Sequence, residues 1–188
     1  MNDRLLVELE KLLAEIPKSV PVFVFGGFAV DGHHGSLTRE HSDVDLLCWR
    51  RDVDAVREAM KRAGHDTELF SHPQDSELVY KFNTKDTDKT FGCQIIDEAP
   101  DGQFQISFWH FSKQLYPLDY IDPLYAELSG VSFPVVSLDF TRLLKDQEIS
   151  FYNELKEEYP EKFARREEKY KNCLHDIKIL SGGEVKVI

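Results

Sequence analysis

The sequence predicts an α+β (α/β) chain that ends in helices, and three observations carry that reading. Two short, wholly apolar runs, 20–25 and 44–49, have the length and the β-branched and aromatic content of buried strands. The middle of the chain, from Thr67 to Phe108, alternates with period two between turn signals. Both ends carry apolar residues at helical spacing, with dense charge from Leu138 onward.

In chain order, Leu5, Leu6, Leu9, Leu12 and Leu13 define an amphipathic helix over 3–15, which Pro17 and Pro21 end. Val20 to Phe25 is the first strand, and Gly26-Gly27 breaks it. Phe28-Ala29-Val30 opens a short helix that stops near Gly32 or Gly35, and 36–41 is polar loop. Val44 to Trp49 is the second strand. A helix follows over 52–63, with Asp52 as N-cap and Gly64 as its stop. Strands are expected at 67–70, 78–83, 91–97 and 103–108. Helices are expected at 138–148 and 150–180, and a boundary near 131–137 divides a core of 1–135 from a helical segment of 136–188 packed on it.

The composition is globular: 188 residues, 41% hydrophobic and 30% charged. No apolar run approaches the ~18 residues of a transmembrane span, and the acidic amphipathic N-terminus is unlike a signal peptide. A net charge of −11 argues against sequence-independent binding of nucleic acid as the main task. Cys48, Cys93 and Cys173 are far apart and form no CxxC pair, so they read as reduced thiols of a cytoplasmic protein.

The chemistry concentrates between Phe25 and Asp52. Asp43 and Asp45 stand two apart at the mouth of a strand, where i and i+2 share a face. Two carboxylates in one small volume repel unless a cation lies between them, and Mg²⁺ suits such hard oxygens. Taken alone, the pair is as well explained by a solvated strand entrance. Gly26 and Gly27, between a strand and a helix start, form a possible phosphate cradle or a plain turn. Thr38, Arg39 and His41 precede the carboxylates; Arg39 either meets a phosphate or pairs with Asp43 or Glu40.

Together, strand, Gly26-Gly27-Phe28-Ala29, Thr38-Arg39-x-His41 and Asp43-Val44-Asp45 resemble the nucleotidyltransferase superfamily with the polymerase-β-like fold. The nearest likeness is to the antibiotic nucleotidyltransferases that modify aminoglycosides and lincosamides. The resemblance implies a short mixed sheet flanked by helices. It also implies a third carboxylate on a later strand, for which Asp97 in Ile96-Asp97-Glu98-Ala99-Pro100 is the best match. A register slip would put Glu98 or Gln94 there instead.

By this resemblance Asp43, Asp45 and Asp97 hold Mg²⁺ (two ions), and Asp97 accepts the proton of an acceptor hydroxyl. Gly26, Gly27, Thr38, Arg39 and His41 bind the nucleotide. The implied reaction moves a nucleoside monophosphate, AMP from ATP in the leading version, to a small hydroxylated acceptor, with a cationic aminoglycoside-like or a lincosamide-like compound in first place. Two rivals remain: a toxin-like enzyme acting on tRNA or protein, and a non-catalytic binding or antitoxin-like module. A late helix closes the cleft in the resembled enzymes, and Lys145, Lys169 or Lys171 could bring a charge to phosphate. His33 and His34 read as solvated loop residues, and Trp49, Phe104, Phe108, Trp109 and Phe111 as core and sheet face.

Overall fold

The computed structural model describes residues 2–72, 75–86, 89–107, 113–122 and 124–182. The expected turn at Pro73, the strand end at Phe108, and Trp109 and Phe111 therefore lie outside the described residues. The elements run α1 (Asn2–Glu15), β1 (Val22–Phe25), α2 (Gly26–His34), β2 (Val44–Trp49), α3 (Val53–Arg62), β3 (Thr67–His72), β4 (Asp75–Thr84), β5 (Phe91–Ala99) and β6 (Gln103–Ile106). Then follow β7 (Gln114–Pro117), β8 (Leu124–Leu128), β9 (Val131–Val135), α4 (Leu138–Glu158), α5 (Pro160–Ala164) and α6 (Glu167–Leu180).

One mixed sheet orders its strands β3-β4-β5-β2-β1-β9-β8, and β6 leaves this path to pair with β5 and β7. β1 runs antiparallel to β2, β2 parallel to β5, and β1 parallel to β9. The α+β class and the helix-flanked mixed sheet are thus as the sequence predicts. β7, β8 and β9 were not anticipated. The stretch expected as a boundary carries β9, a sheet strand against β1, and the chain enters α4 only after Ser137, whose hydroxyl accepts from the Phe140 amide at 3.2 Å. Asp52 does not act as a side-chain cap: a 3-10 turn over Arg50–Asp52 leads into α3, and its carboxylate makes no capping hydrogen bond.

β2 is buried along almost its whole length because strands cover both its edges and helices its faces, which is why it reads as an unbroken apolar run. Its neighbours in the core include Leu5, Leu9 and Leu12 of α1, Val56 and Met60 of α3, and Phe82, Phe91 and Phe133. α1 and α3 pack on each other, whereas α2 packs on β1, β2 and β8 and also on α4 and α6.

The loop after α2 is fixed from within. Asp31 is fully buried, and its Oδ1 accepts from the Thr38 amide at 3.1 Å and the Thr38 hydroxyl at 2.5 Å. Its Oδ2 lies 2.6 Å from His41 Nε2. One carboxylate therefore ties both ends of the segment leading into Asp43. Asp31→Ala should lower stability by about 3 kcal/mol, because it strands a buried donor set. Urea denaturation checks this, and Asp31→Asn should recover part of the loss.

Candidate active site

A cleft lies between the mouth of β2 and the C-terminal helices. Gly27, Arg39, His41, Asp43 and Asp45 line it from the core side, and Lys145, Glu148 and Tyr152 of α4 with Lys169 and Cys173 of α6 from the other. β1 turns directly into α2 at Gly26, whose φ of +70° favours glycine. The β1–β2 ladder pairs Phe25 with Asp45, so the Asp45 carboxylate lies against this turn. A β-carbon on Gly26 would collide with Asp45 Oδ2. The space beside Gly27 is not an open cradle, because a β-carbon there would lie 2.6 Å from the His41 ring and would also strike the Arg39 guanidinium.

The electrostatics separate into two parts. Burial, and next the Asp43 charge, push the Asp45 carboxyl up to about 8, with Lys145 pulling the other way. A carboxylate pair in which burial and one charge disfavour the other fits a divalent ion that takes one or two carboxylates and completes its shell from water and phosphate. Among the described residues no group of three or more His, Cys, Asp or Glu could hold a metal, so Asp43 and Asp45 are the protein ligands on offer.

The second part is a buried ionic chain. Arg39 donates from Nε to Asp176 Oδ1 at 2.9 Å and from its terminal nitrogen to Oδ2 at 3.1 Å. Lys145 Nζ lies 3.2 Å from Asp176 Oδ2 and 2.9 Å from Glu148 Oε2. Burial disfavours the Lys145 charge, yet Glu148 and Asp176 outweigh it and raise its pKa. Burial likewise opposes the Glu148 charge, and Lys145 reverses the sign and lowers its pKa.

The structure thus brings together Gly27, Arg39, His41, Asp43 and Asp45, with Gly26 directly behind Asp45. Thr38 turns its hydroxyl to Asp31 and is not a lining residue. Lys145 and Lys169 reach the cleft, whereas Lys171 pairs with Glu167 at the surface. Neither Glu148 nor Asp176 was singled out in sequence; both sit in helices whose charges look like a solvated face, and only tertiary packing buries Asp176.

Asp97 does not join them, which corrects the sequence expectation. β5 runs parallel to β2 with Gly92, not Asp97, paired to Asp45. Asp97 is five residues farther along, about 17 Å at the rise of a parallel strand. Its carboxylate accepts from Arg50, at 2.8 Å for the terminal nitrogen. The alternatives are also engaged elsewhere: Glu98 pairs with Arg51, and the buried Gln94 amide donates to the carbonyls of Tyr80 and Ser107.

A sequence model of the family described as aminoglycoside-2''-adenylyltransferase matches residues 6–163, well over half of the chain. The chain belongs to the aminoglycoside-2''-adenylyltransferase family. It is accordingly a nucleotidyltransferase, as the Gly-Gly and DxD residues implied. Solved structures share its fold. The lincosamide antibiotic adenylyltransferase LnuA, lincomycin-bound, aligns with TM-score 0.55 and 19% identity over 73% of this chain and 83% of that one. The antibiotic-resistance factor ANT(2'')-Ia in solution aligns with TM-score 0.60 and 16% identity over 97% and 91%. The same enzyme in complex with adenylyl-2''-tobramycin gives TM-score 0.55 and 15% identity over 94% of each chain. No curated protein matches in sequence. The family match ends before α6, yet α6 supplies Lys169, Cys173 and Asp176 to the cleft or its wall.

Two predictions test this family member's site. In the metal-free protein the unfolded Asp45 loses its proton from about pH 4 and the folded one only near 8. The unfolded state therefore binds fewer protons in that window, and stability falls as pH rises through it. Asp45→Asn removes the effect, so its Tm should exceed the parent's at pH 8 by about 2–4 °C for each kcal/mol relieved. The gap should shrink toward pH 5, as differential scanning calorimetry would show. Asp97→Asn should leave nucleotidyl transfer within about twofold of the parent and cost at most about 1 kcal/mol, the usual worth of an exposed ion pair; steady-state kinetics decide it.

Proposed function

We propose that this chain transfers AMP from ATP, with Mg²⁺, to a hydroxyl of a small cationic antibiotic of the aminoglycoside class, releasing pyrophosphate. The observation that carries the reading is one cleft that holds a carboxylate pair, whose buried member has its charge disfavoured, facing Lys145 and Lys169 of the C-terminal helices. Asp43 and Asp45 would hold the Mg²⁺, which neutralises charge on the transferring phosphoryl group and aligns the leaving pyrophosphate. Lys145 keeps its charge in a buried setting and meets the triphosphate as a fixed cation, and Lys169 and Arg166 also line the cleft. Arg39 acts from behind: its fork is filled by Asp176, so it fixes the wall that carries Lys145 rather than turning freely to phosphate. His41 is likewise held by Asp31 and shapes the space beside Gly27.

The acceptor class is supported by the family description and by ANT(2'')-Ia, seen with adenylyl-2''-tobramycin. A net charge of −11 adds long-range attraction for a polycationic acceptor. No helix among the described residues is long and apolar enough to cross a membrane, and Cys48, Cys93 and Cys173 are free and buried, which suits a cytoplasmic enzyme.

Pyrophosphate release with each of the four NTPs, with and without Mg²⁺, against aminoglycosides, lincosamides and tRNA tests the reading. ATP- and Mg²⁺-dependent release with an aminoglycoside is the expected result, and Asp43→Asn should lower it by at least about 10²-fold. Release only with tRNA, or none with any acceptor, overturns it.

A further inference from the structure

The cleft lacks a carboxylate where the sheet could most directly supply one. Side chains paired across a ladder share a face, so the residue on β5 that looks at Asp45 is Gly92. A β-carbon there would sit 3.4 Å from Asp45 Oδ1 and 3.6 Å from Asn83 Oδ1, both ordinary contact distances. The position has room for a side chain and carries none. Asn83, across the β4–β5 ladder from Gly92, offers a neutral amide.

Asp43, Asp45 and Glu148 are the carboxylates that line the cleft among the described residues. Asp43 and Asp45 are the pair assigned to the metal, which leaves one candidate. Glu148 Oε2 is anchored by Lys145 Nζ at 2.9 Å and the Cys173 thiol at 3.3 Å. Its Oε1 has no hydrogen-bond partner among the described residues, and the side chain remains 38% exposed. One oxygen is fixed and the other is available.

We propose that Glu148 is the general base of this enzyme, taking over from a helix the task that a sheet carboxylate at position 92 would perform. The assignment rests on the nucleotidyl-transfer reading above. The acceptor O–H proton passes to Glu148 Oε1 as the acceptor oxygen bonds to the α-phosphorus of ATP. The bond from that phosphorus to the oxygen bridging to the β-phosphorus breaks, and pyrophosphate leaves with the electron pair. Lys145 keeps Glu148 ionised in the empty cleft. A triphosphate beside Lys145 offsets that cation's pull and makes Glu148 more basic when substrate is bound. Cys173, its other partner, has its thiol pushed up to about 12 by burial and by Glu148, so it stays a proton donor to Glu148 and does not compete as a base.

The test uses the full chain with Glu148→Gln, Gly92→Asp and the double variant. Gln at 148 keeps an oxygen for Lys145 and fills the same space. Glu148→Gln should lower kcat by about 10²–10³-fold, within the usual range for a general base, with KM for ATP changed no more than a few-fold. Mn²⁺ affinity by calorimetry should be unchanged, because Glu148 is not a metal ligand. Adding Gly92→Asp to Glu148→Gln should restore at least about tenfold, since a base returns opposite Asp45. A purely structural role for Glu148 in holding Lys145 would not respond to a carboxylate on β5. Glu148→Gln within threefold of the parent overturns the assignment and leaves the proposed function standing, as does a folded double variant no faster than Glu148→Gln. A parent without pyrophosphate release that gains it only with Gly92→Asp overturns both, and marks the chain as a nucleotide-binding relative without transfer chemistry.

Discussion

Asp176 holds two cations at once, and the cleft exists because it does. Its carboxylate is 1% exposed, with Arg39 of the core loop on one side and Lys145 of α4 on the other. Burying three charged groups is costly unless each is matched, and here each oxygen of Asp176 has a partner and Lys145 reaches Glu148 as well. The network joins three separate pieces of chain: the loop leading into Asp43, helix α4, and helix α6. Apolar contacts hold the helices as well: Phe140 and Leu144 of α4 join the main core, and Ile179 and Leu180 of α6 pack with Val30 and Leu138. The ionic pairing ties both helices to the loop that leads into Asp43, beyond their apolar attachment.

The opposite wall is built on a conflict that folding alone does not resolve. β1 and β2 bring Asp45 against the start of α2, where only a glycine at 26 leaves room for its carboxylate. Burial and Asp43 then disfavour its charge. A site that is electrostatically unsatisfied until a cation arrives is one in which stability has been given up for binding. The ionic chain around Asp176 has the reverse character: its charges are satisfied before any substrate comes. In the proposed reaction, metal and triphosphate would meet one wall whose charge is disfavoured and another already ion-paired.

This division explains what could be read in the sequence. β1, β2 and the turn between β1 and α2 were legible because each is local: an apolar run of strand length, a Gly-Gly break, and two acids two residues apart. Phase along β5 was legible as well, since Phe91, Cys93, Ile95 and Asp97 do alternate against Gly92, Gln94, Ile96 and Glu98. Register between β5 and β2 was not, because nothing local to β5 says which residue meets Asp45. The ladder chose Gly92, so Asp97 lies on the wrong phase as well as too far along the strand. Glu148 and Asp176 were hidden for a related reason. Lys145, Glu148 and Asp176 stand among many charged residues at helical spacing, and a charge buried by a distant partner looks like one facing water. β8 and β9 are short, and the pairing of β9 with β1 closes over more than a hundred residues of chain.

The overall acidity of the chain also proves a poor guide to the cleft itself. A net charge of −11 belongs to the whole surface, whereas the lining holds Arg39, Lys145, Arg166 and Lys169 against Asp43, Asp45 and Glu148. In the proposed reaction a short polyanion such as a triphosphate would meet Lys145 and Lys169 of this lining, with a divalent ion on the carboxylates. A long polyanion would have to continue across an acidic exterior, and a polycation would be drawn toward it. In the proposed reaction, local and global charge would divide the two substrates: the cleft would take the nucleotide's phosphates, and the exterior would attract a cationic acceptor. α6 lies beyond the residues that the family model matches and yet places Lys169 in the cleft lining and Asp176 against Lys145. The same helix sets Cys173 against Glu148, so in the proposed reaction the placement of the proton acceptor and the reception of the triphosphate would both depend on how this helix docks.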